Sequence, residues 1–539
     1  MRKIVVFLFL ATSFVGFSQE DAWVYFKDKP NAATDLQNPL TLLSQKALDR
    51  RAAQGIALDI KDIPIYKPYF DEVSNATGIT VKAKSKWLNC LHIRGSVANI
   101  NALKLVSFVS KIDFADKTLN SFSNKTKQKL KPVTKTKETA IAFNYGTSAN
   151  QIQMLNGHLL HQMNYTGSGK IIAVLDSGFP GVNTAPPFQR LMTNGSILGG
   201  YDFVNQSNNF YSGDTHGTAV LSLMGGFVEG QLIGTAPDAH YYLYITEDDA
   251  SENPVEESNW VEAAEEADRV GVDIITSSLG YFGYDNSNYS HTYSDMTGNL
   301  AFASQGANIA FEKGIVVLAS VGNEGEETEP HVGIPAEAKN VIAVGAVQAD
   351  ENYASFSSIG PSYDGRVKPD VMAQGQSVVL SNPAGNSVTG NGTSYSCPIT
   401  SGMVACLWQA LPEKNAQQIK QLLLQSSDNF NPILKSQAKF GYGIPDFNLA
   451  LANGLSGTDF LKTDFLVYPN PTYDLISVTF PNKSDAKTIV IYTILGQKVL
   501  EKNISNQSPT ISLKPLNSGI YFYKIESNGF SKTGKIIKH

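Results

Sequence analysis

The chain of 539 residues has only three cysteines, Cys90, Cys397 and Cys406. That scarcity excludes a disulfide-stapled framework and a zinc site built on paired thiolates. Cys397 and Cys406 would lie roughly 13 Å apart along one helix, too far for a bridge, so they read as buried thiols. Basic charge is also in short supply. Lys and Arg number 43 against 49 Asp and Glu, and the net charge of -6 offers nucleic acid no electrostatic footprint. There is no H-E-x-x-H motif for metal catalysis and no G-x-S-x-G elbow of the α/β-hydrolase kind. Beyond the first segment, no run reaches the about 18 uninterrupted apolar residues of a membrane helix. What remains, 42% hydrophobic and 17% charged, suits several globular domains with sizeable cores.

The N-terminus reads as a processing segment. Arg2 and Lys3 precede an apolar run from Ile4 to Phe17, and Gly16 and Ser18 sit at positions -3 and -1 of a cut before Gln19. Residues 1–18 are therefore expected to be a signal peptide. Residues 19–116 begin with the strand-like AWVYF, carry a polar helix pattern around 39–54, and continue with short β-like runs such as WLNCLHIRG. A linker over 117–144 follows. It holds seven lysines and no acid between Lys117 and Lys137, and it reads as exposed and cleavable.

Residues 145–455 change character. The apolar runs KIIAVLD (170–176), YYLYIT (241–246), VDIITSSLG (272–280), IVVLAS (315–320) and NVIAVGAV (340–347) suit strands buried on both faces. Helical patterns lie between them, at 254–269 with Asn253 as N-cap and Pro254 at N1, and at 296–313 before Gly314. The alternation predicts a doubly wound, mostly parallel α/β domain with its site beyond the carboxyl ends of the strands. Residues 464–539 show short alternating runs (LISVTF, TIVIYTI, GIYFYKI) between Asn, Gly, Pro and Ser, a small all-β sandwich.

Four side chains at predicted element ends carry potential chemistry. Asp176 ends the strand KIIAVLD; alone, it reads equally as a strand-end turn. His216 opens DTHGTAVLSLMGG, where Asp214 or Thr215 would cap a helix. Asn323 follows IVVLAS between glycines and alone is a turn residue. Ser394, in GNGTSYSCPITSGMVACLWQALP, lies near the start of a buried apolar helix, where backbone N–H groups favour negative charge; alone it is an N-cap. Together they are the set that acyl transfer requires: a hydroxyl, a base to take its proton, a carboxylate to fix the base, and an amide donor for the oxyanion. The chain order Asp, His, Ser is that of subtilisin, not of lipase-type hydrolases.

These blocks resemble the subtilisin-like serine proteases (subtilases, peptidase family S8). The matching stretches are AVLDSG, HGTAV, SSLG at 277–280, ASVGNEG and GTSYSCP, with GYGIPDFNLAL (441–451) similar to the family's closing segment. The resemblance covers about 145–455. Thr215 stands where a second His is usual, and Tyr395, Ser396 and Cys397 stand where small residues are usual; both departures bear on substrate preference. The resemblance implies Ser394 as nucleophile, His216 as general base then acid, Asp176 as its orienter, and Asn323 with the Ser394 N–H as oxyanion hole. Ser278, Leu279 and Gly280 match the strand that pairs with substrate backbone.

The loop after them, YFGYDNSNYSHTYSD, reads either as part of an extended or regulated cleft or as a surface loop. The acidic stretch 247–266, with nine acids and no basic residue before Arg269, reads as a solvated loop and helix start, with selection of basic substrates or a calcium site as alternatives. No cofactor is implied. Calcium is common in the family, but no ordered D-x-D-type loop is visible, so no metal ligand is assigned.

By the same resemblance, 19–116 is a propeptide that chaperones and inhibits. The C-terminal module, with VYPNP (467–471), TILGQKVL and a terminal KTGKIIKH, is similar to the type IX secretion sorting domain of Bacteroidetes. A carbohydrate- or surface-binding sandwich is the alternative. The expected protein is an exported serine endopeptidase made as a zymogen, acting as a monomer on protein substrates and engaging secretion machinery through its C-terminal domain. A catalytically silent subtilase-like adhesin is the rival, and the four filled catalytic positions argue against it.

Overall fold

A computed structural model describes residues 19–120, 143–430, 438–455 and, with short gaps, 466–538. The expected signal peptide (1–18) and most of the Lys-rich linker (121–142) lie outside the described residues. The chain divides into two compact units between Leu455 and Ser456.

The first unit begins with a four-stranded antiparallel sheet. Its strands are β1 (Gln19–Phe26), β2 (Ile79–Ser85), β3 (Cys90–Ser96) and β4 (Val109–Phe114), in the order β2-β3-β1-β4. Between β1 and β2 the expected polar helix forms in two pieces, Pro39–Leu42 and α1 (Gln45–Ala53), parted by the extended Leu43.

The five apolar runs then form the centre of a seven-stranded parallel sheet: β5 (Ile171–Asp176), β7 (His240–Ile245), β8 (Ile274–Ser277), β9 (Val316–Ser320) and β10 (Ile342–Val347). Two strands absent from the sequence reading complete it at its edges, β6 (Ile197–Asp202) and β11 (Val371–Gln374), giving the order β11-β10-β9-β8-β5-β7-β6. Every residue of β5, β8, β9 and β10 is buried, because helices cover both faces. On one face lie α2 (His216–Gly225), α5 (Thr393–Ala410) and α6 (Ala416–Gln425); on the other lie α3 (Val255–Val270) and α4 (Phe302–Glu312).

Two helices differ from expectation. α3 starts one residue late, with Pro254 as its N-cap, while the Asn253 side chain accepts from the Val255 N–H at 3.3 Å. α4 begins at Phe302 rather than near 296, because Gly298 has φ +82 and breaks any earlier turn. The N-terminal sheet lies on α3 and α4. Trp23 of β1 stacks on Phe302 with centroids 5.2 Å apart, and its indole N–H donates to Ser258 at 2.8 Å.

In the second unit, Leu466–Tyr468, Leu475–Thr479 and Thr510–Ser512 form one antiparallel sheet. Lys487–Thr493, Lys498–Ile504, Gly519–Ser527 and Phe530–Lys538 form another. Both give side chains to one core that includes Ile476, Ile489, Ile511 and Ile525, which is the expected strand-rich module.

Candidate active site

Asp176 is the last residue of β5 and fully buried; His216 is the first residue of α2. Gly217 lets the two elements meet. A Cβ there would sit 2.4 Å from the Gly178 carbonyl oxygen and 2.9 Å from the Asp176 Cβ, so any side chain would push α2 away. The approach brings His216 Nδ1 within 2.7 Å of Asp176 Oδ1, which also accepts from the Ser177 N–H at 2.9 Å. The His216 N–H donates to Asp214 Oδ1 at 2.8 Å, so Asp214 does the capping work expected of Asp214 or Thr215.

Asn323 follows β9 after Gly322, whose φ of +103 turns the chain back toward the sheet end. Its Oδ1 accepts from the Thr393 N–H (2.9 Å) and hydroxyl (3.1 Å). These donors fix which way the amide faces and leave Nδ2 without a hydrogen-bond partner among the described residues. A Cβ built on Gly392 would lie 3.9 Å from Asn323 Nδ2 and 3.7 Å from the Ser394 backbone N, so the two donors border one small space.

Ser394 is the second residue of α5, and Pro398 is the sixth, inside the helix. Lacking an N–H, Pro398 leaves the carbonyl of Ser394 without its helical partner. The Ser278 hydroxyl fills that place, donating to the Ser394 carbonyl at 2.9 Å. The Ser394 hydroxyl in turn donates to the Ser278 carbonyl at 3.2 Å and makes no hydrogen bond to His216 among the described residues. Ser278 is thus a direct partner of Ser394, a role that sequence reasoning missed; the signal was the proline four residues after the serine. Leu279 and Gly280 continue past the end of β8, and their backbones make no hydrogen bond among the described residues. Cys397 is buried beside Thr276, and its thiol is pushed up to about 12 by burial. Tyr395 places its ring 6.1 Å from that of His216.

His216 titrates above the ordinary imidazole range. Burial alone lowers it, but the charge of Asp176 and its hydrogen bond outweigh that effect, and Asp214 and Glu247 add to it.

The solvated reading of 247–266 is incorrect for its helix: Glu256, Glu257 and Glu265 are buried. Glu257 is met by His291 (2.7 Å), the Tyr284 hydroxyl and the Ala303 N–H (both 2.9 Å). Glu265 accepts from Ser85 Oγ at 2.6 Å and from the Lys86 and Trp87 N–H groups at 3.0 and 2.9 Å, and burial pushes it up to about 6. Nor is the loop 281–295 a free surface loop. Tyr281, Tyr284 and Tyr289 are buried, Tyr289 donates to Glu20 at 2.8 Å, and Asp295 pairs with Lys117 at 2.7 Å. Among the described residues, no group of three or more His, Cys, Asp or Glu could hold a metal ion, and no helix is long and apolar enough to cross a membrane.

Residues 167–443 match the sequence profile of the subtilase family. The chain belongs to that family. Residues 21–132 match the peptidase S8 propeptide domain of Bacteroidota, and 466–539 match a secretion system C-terminal sorting domain. Among related proteins, Subtilisin NAT of Bacillus subtilis subsp. natto is 30% identical over 317 residues, 58% of this chain and 74% of its own. Subtilisin DY of Bacillus licheniformis is 28% identical over 280 residues, 52% of this chain and 90% of its own. Serine protease AprX of Bacillus subtilis is 28% identical over 294 residues, 49% of this chain and 62% of its own. This subtilase is a subtilisin-like serine endopeptidase carrying a propeptide and a sorting tail. The tail marks it for secretion, to the medium or the cell surface.

Proposed function

We propose that this subtilase cleaves peptide bonds through an acyl-enzyme on Ser394. The observation that carries the reading is the 2.7 Å hydrogen bond between buried Asp176 and His216, formed at the sheet end that also bears Ser394 and Asn323. In this reading Asp176 holds His216 with a proton on Nδ1, so that Nε2 is the base. A turn about the Ser394 Cα–Cβ bond exchanges the Ser278 carbonyl for His216 once substrate binds; such contacts commonly tighten only in the complex. Ser394 attacks the scissile carbonyl, His216 takes the proton and passes it to the leaving amine, and water then repeats the cycle on the ester. The oxyanion sits between Asn323 Nδ2 and the Ser394 N–H, and the unpaired backbone of Leu279 and Gly280 receives the substrate as an added strand.

The oxyanion assignment is tested by Asn323→Ala. Its kcat on a peptide substrate is expected to drop by about 10²–10³ with KM little changed. A loss confined to KM would mean that Asn323 binds substrate without stabilising the transition state. The base assignment is tested by pH. The reaction needs neutral His216, whose conjugate acid is held above the ordinary value of about 6.5. The kcat/KM is therefore expected to fall as pH drops through a value higher than that, and an acid limb at or below it would contradict the role.

The same reading makes residues 19–116 an inhibitory propeptide, 117–144 the cleaved linker, 145–455 the catalytic domain and 464–539 the export domain. Deleting 464–539 is expected to leave the enzyme in the periplasm, checked by fractionation; undiminished export would refute the last assignment. The fit of Glu265 to the 85–87 turn and of Tyr289 to Glu20 supports the first.

A further inference from the structure

The N-terminal region grips the catalytic domain in two places. One is the β1–β4 sheet lying on α3 and α4. The other lies at the amino end of the parallel sheet, opposite the triad. There α1 packs across the end of α3, the start of β8, the end of α4 and the first residue of α6. We infer that residues 39–63 are a second docking element for the propeptide, seated on a face formed by Asp268, Val272, Lys313, Gly314 and Ala416. This rests on the reading of 19–116 as a propeptide cut from the enzyme.

Helix ends explain why the face takes this partner. The last carbonyls of a helix lack internal donors and carry partial negative charge. At the end of α3, the Ser44 N–H donates to the Arg269 carbonyl at 2.9 Å, and two residues past the helix, in the turn into β8, Arg50 donates to the Val272 carbonyl. Just past the end of α4, Gln54 Nε2 donates to the Gly314 carbonyl at 2.8 Å, while its Oε1 accepts from the Ala416 N–H, a helix-start donor of α6, at 3.0 Å. The glycines that end both helices make room. A Cβ on Gly271 (φ +91) would lie 2.8 Å from the Ala47 N, and one on Gly314 (φ +88) would lie 2.7 Å from Gln54 Nε2.

Charge fits as well. Arg50 and Arg51 both pair with Asp268, Arg51 also grips Asp62 through two bonds of 2.9 and 2.7 Å, and Lys313 reaches Asp59 at 3.0 Å and Asp62 at 3.2 Å. Three cations and three carboxylates balance, and all but Asp59 are at most 5% exposed in their side chains. Parting the surfaces separates Asp268 and Lys313 from every one of these partners, which is the costly way to break a buried ion network.

The element is joined to the rest of the propeptide. Leu42, Leu43, Ala47 and Ile63 form its own small core. Lys29 Nζ ties the Ile60 carbonyl (2.8 Å) to the Lys86 carbonyl beside β2 (2.7 Å). Two contacts on one linked body reinforce each other through effective concentration.

The test uses full-length protein carrying Ser394→Ala and a recognition site for a sequence-specific viral protease inserted in the linker, so that the cut needs no activity of the enzyme itself. After the cut, the rate at which the N-terminal fragment leaves on dilution is followed by gel filtration. Failure of the proposed catalytic role would leave this measurement intact. Arg50→Met with Gln54→Met removes only contacts that cross the interface and is expected to speed release at least about tenfold. Lys313→Met, made from the other side, is expected to act in the same direction, whereas Lys61→Ala, which loses only an exposed pair with Glu312 at 3.3 Å, should change little. Release at the parental rate in the Arg50/Gln54 and Lys313 variants would overturn the inference. Hydrogen exchange on the nicked parent decides without any interface variant. Amides of residues 44–54 as protected as those of α3 support docking, and exchange at unstructured rates overturns it.

Discussion

Ser394→Ala is expected to lower kcat on casein by about 10⁶-fold, the scale of the same loss in the subtilisin triad. The reason is specific to the hydroxyl. His216 and Asp176 stay in place, since their 2.7 Å bond does not involve Ser394, and the Asn323 amide keeps its orientation through Thr393. Substrate should still bind along Leu279 and Gly280, so KM is expected to change little while the covalent step disappears. The substitution also removes the 3.2 Å bond to the Ser278 carbonyl, but the reverse bond, from the Ser278 hydroxyl to the Ser394 carbonyl at 2.9 Å, is a backbone contact and survives. The fold and thermal midpoint should therefore hold. Expressed in its host, the variant should accumulate uncut in its linker. Linker cleavage at the normal rate would show that another protease performs that step, and casein turnover at the normal rate would remove Ser394 from the mechanism.

Asp176→Asn is expected to cost about 10⁴-fold in kcat, roughly 5 kcal/mol of barrier. The amide is nearly the same size, so the tight approach of Gly217 to the Asp176 Cβ is kept. What changes is the hydrogen-bond polarity. In the native protein one oxygen, Oδ1, accepts from both the Ser177 N–H and His216, so the variant either keeps its amide oxygen there and holds His216 without the charge, or flips, gives up the Ser177 bond and turns its NH₂ toward His216. The flip favours the tautomer with its proton on Nε2, where the base is needed bare. The pH profile carries a second readout. Burial lowers the His216 pKa, while the Asp176 charge and hydrogen bond raise it. With the charge gone, the acid limb of the residual activity should move to lower pH. A loss below tenfold with an unmoved limb would show that Asp176 neither orients nor stabilises the imidazolium.

The central strands were legible because they are covered on both faces, so IIAVLD and VVLAS read as unbroken apolar runs. The edge strands were not: ILGGYD is interrupted by two glycines and only partly buried, and VMAQ is too short to stand out. The site was legible where chemistry is concentrated in local blocks at strand and helix ends. It was not where a partner is distant. Ser278 meets Ser394 across 116 residues of sequence, and Glu265 meets Ser85 across 180. The buried acids of α3 looked like a solvated face for the same reason, since nothing nearby in sequence shows what covers them. Arg50 looked like one more polar residue of a short helix, because Asp268 lies 218 residues on.

The central claim, that Ser394 is an activated nucleophile, is tested most directly by reacting the mature secreted enzyme with a fluorophosphonate and mapping the adduct by peptide mass spectrometry. The account predicts one adduct, on Ser394 in the peptide containing GTSYSCP, lost in Ser394→Ala and strongly slowed in Asp176→Asn. An adduct on Ser396 or elsewhere, or no adduct on enzyme that has shed its propeptide, would contradict it.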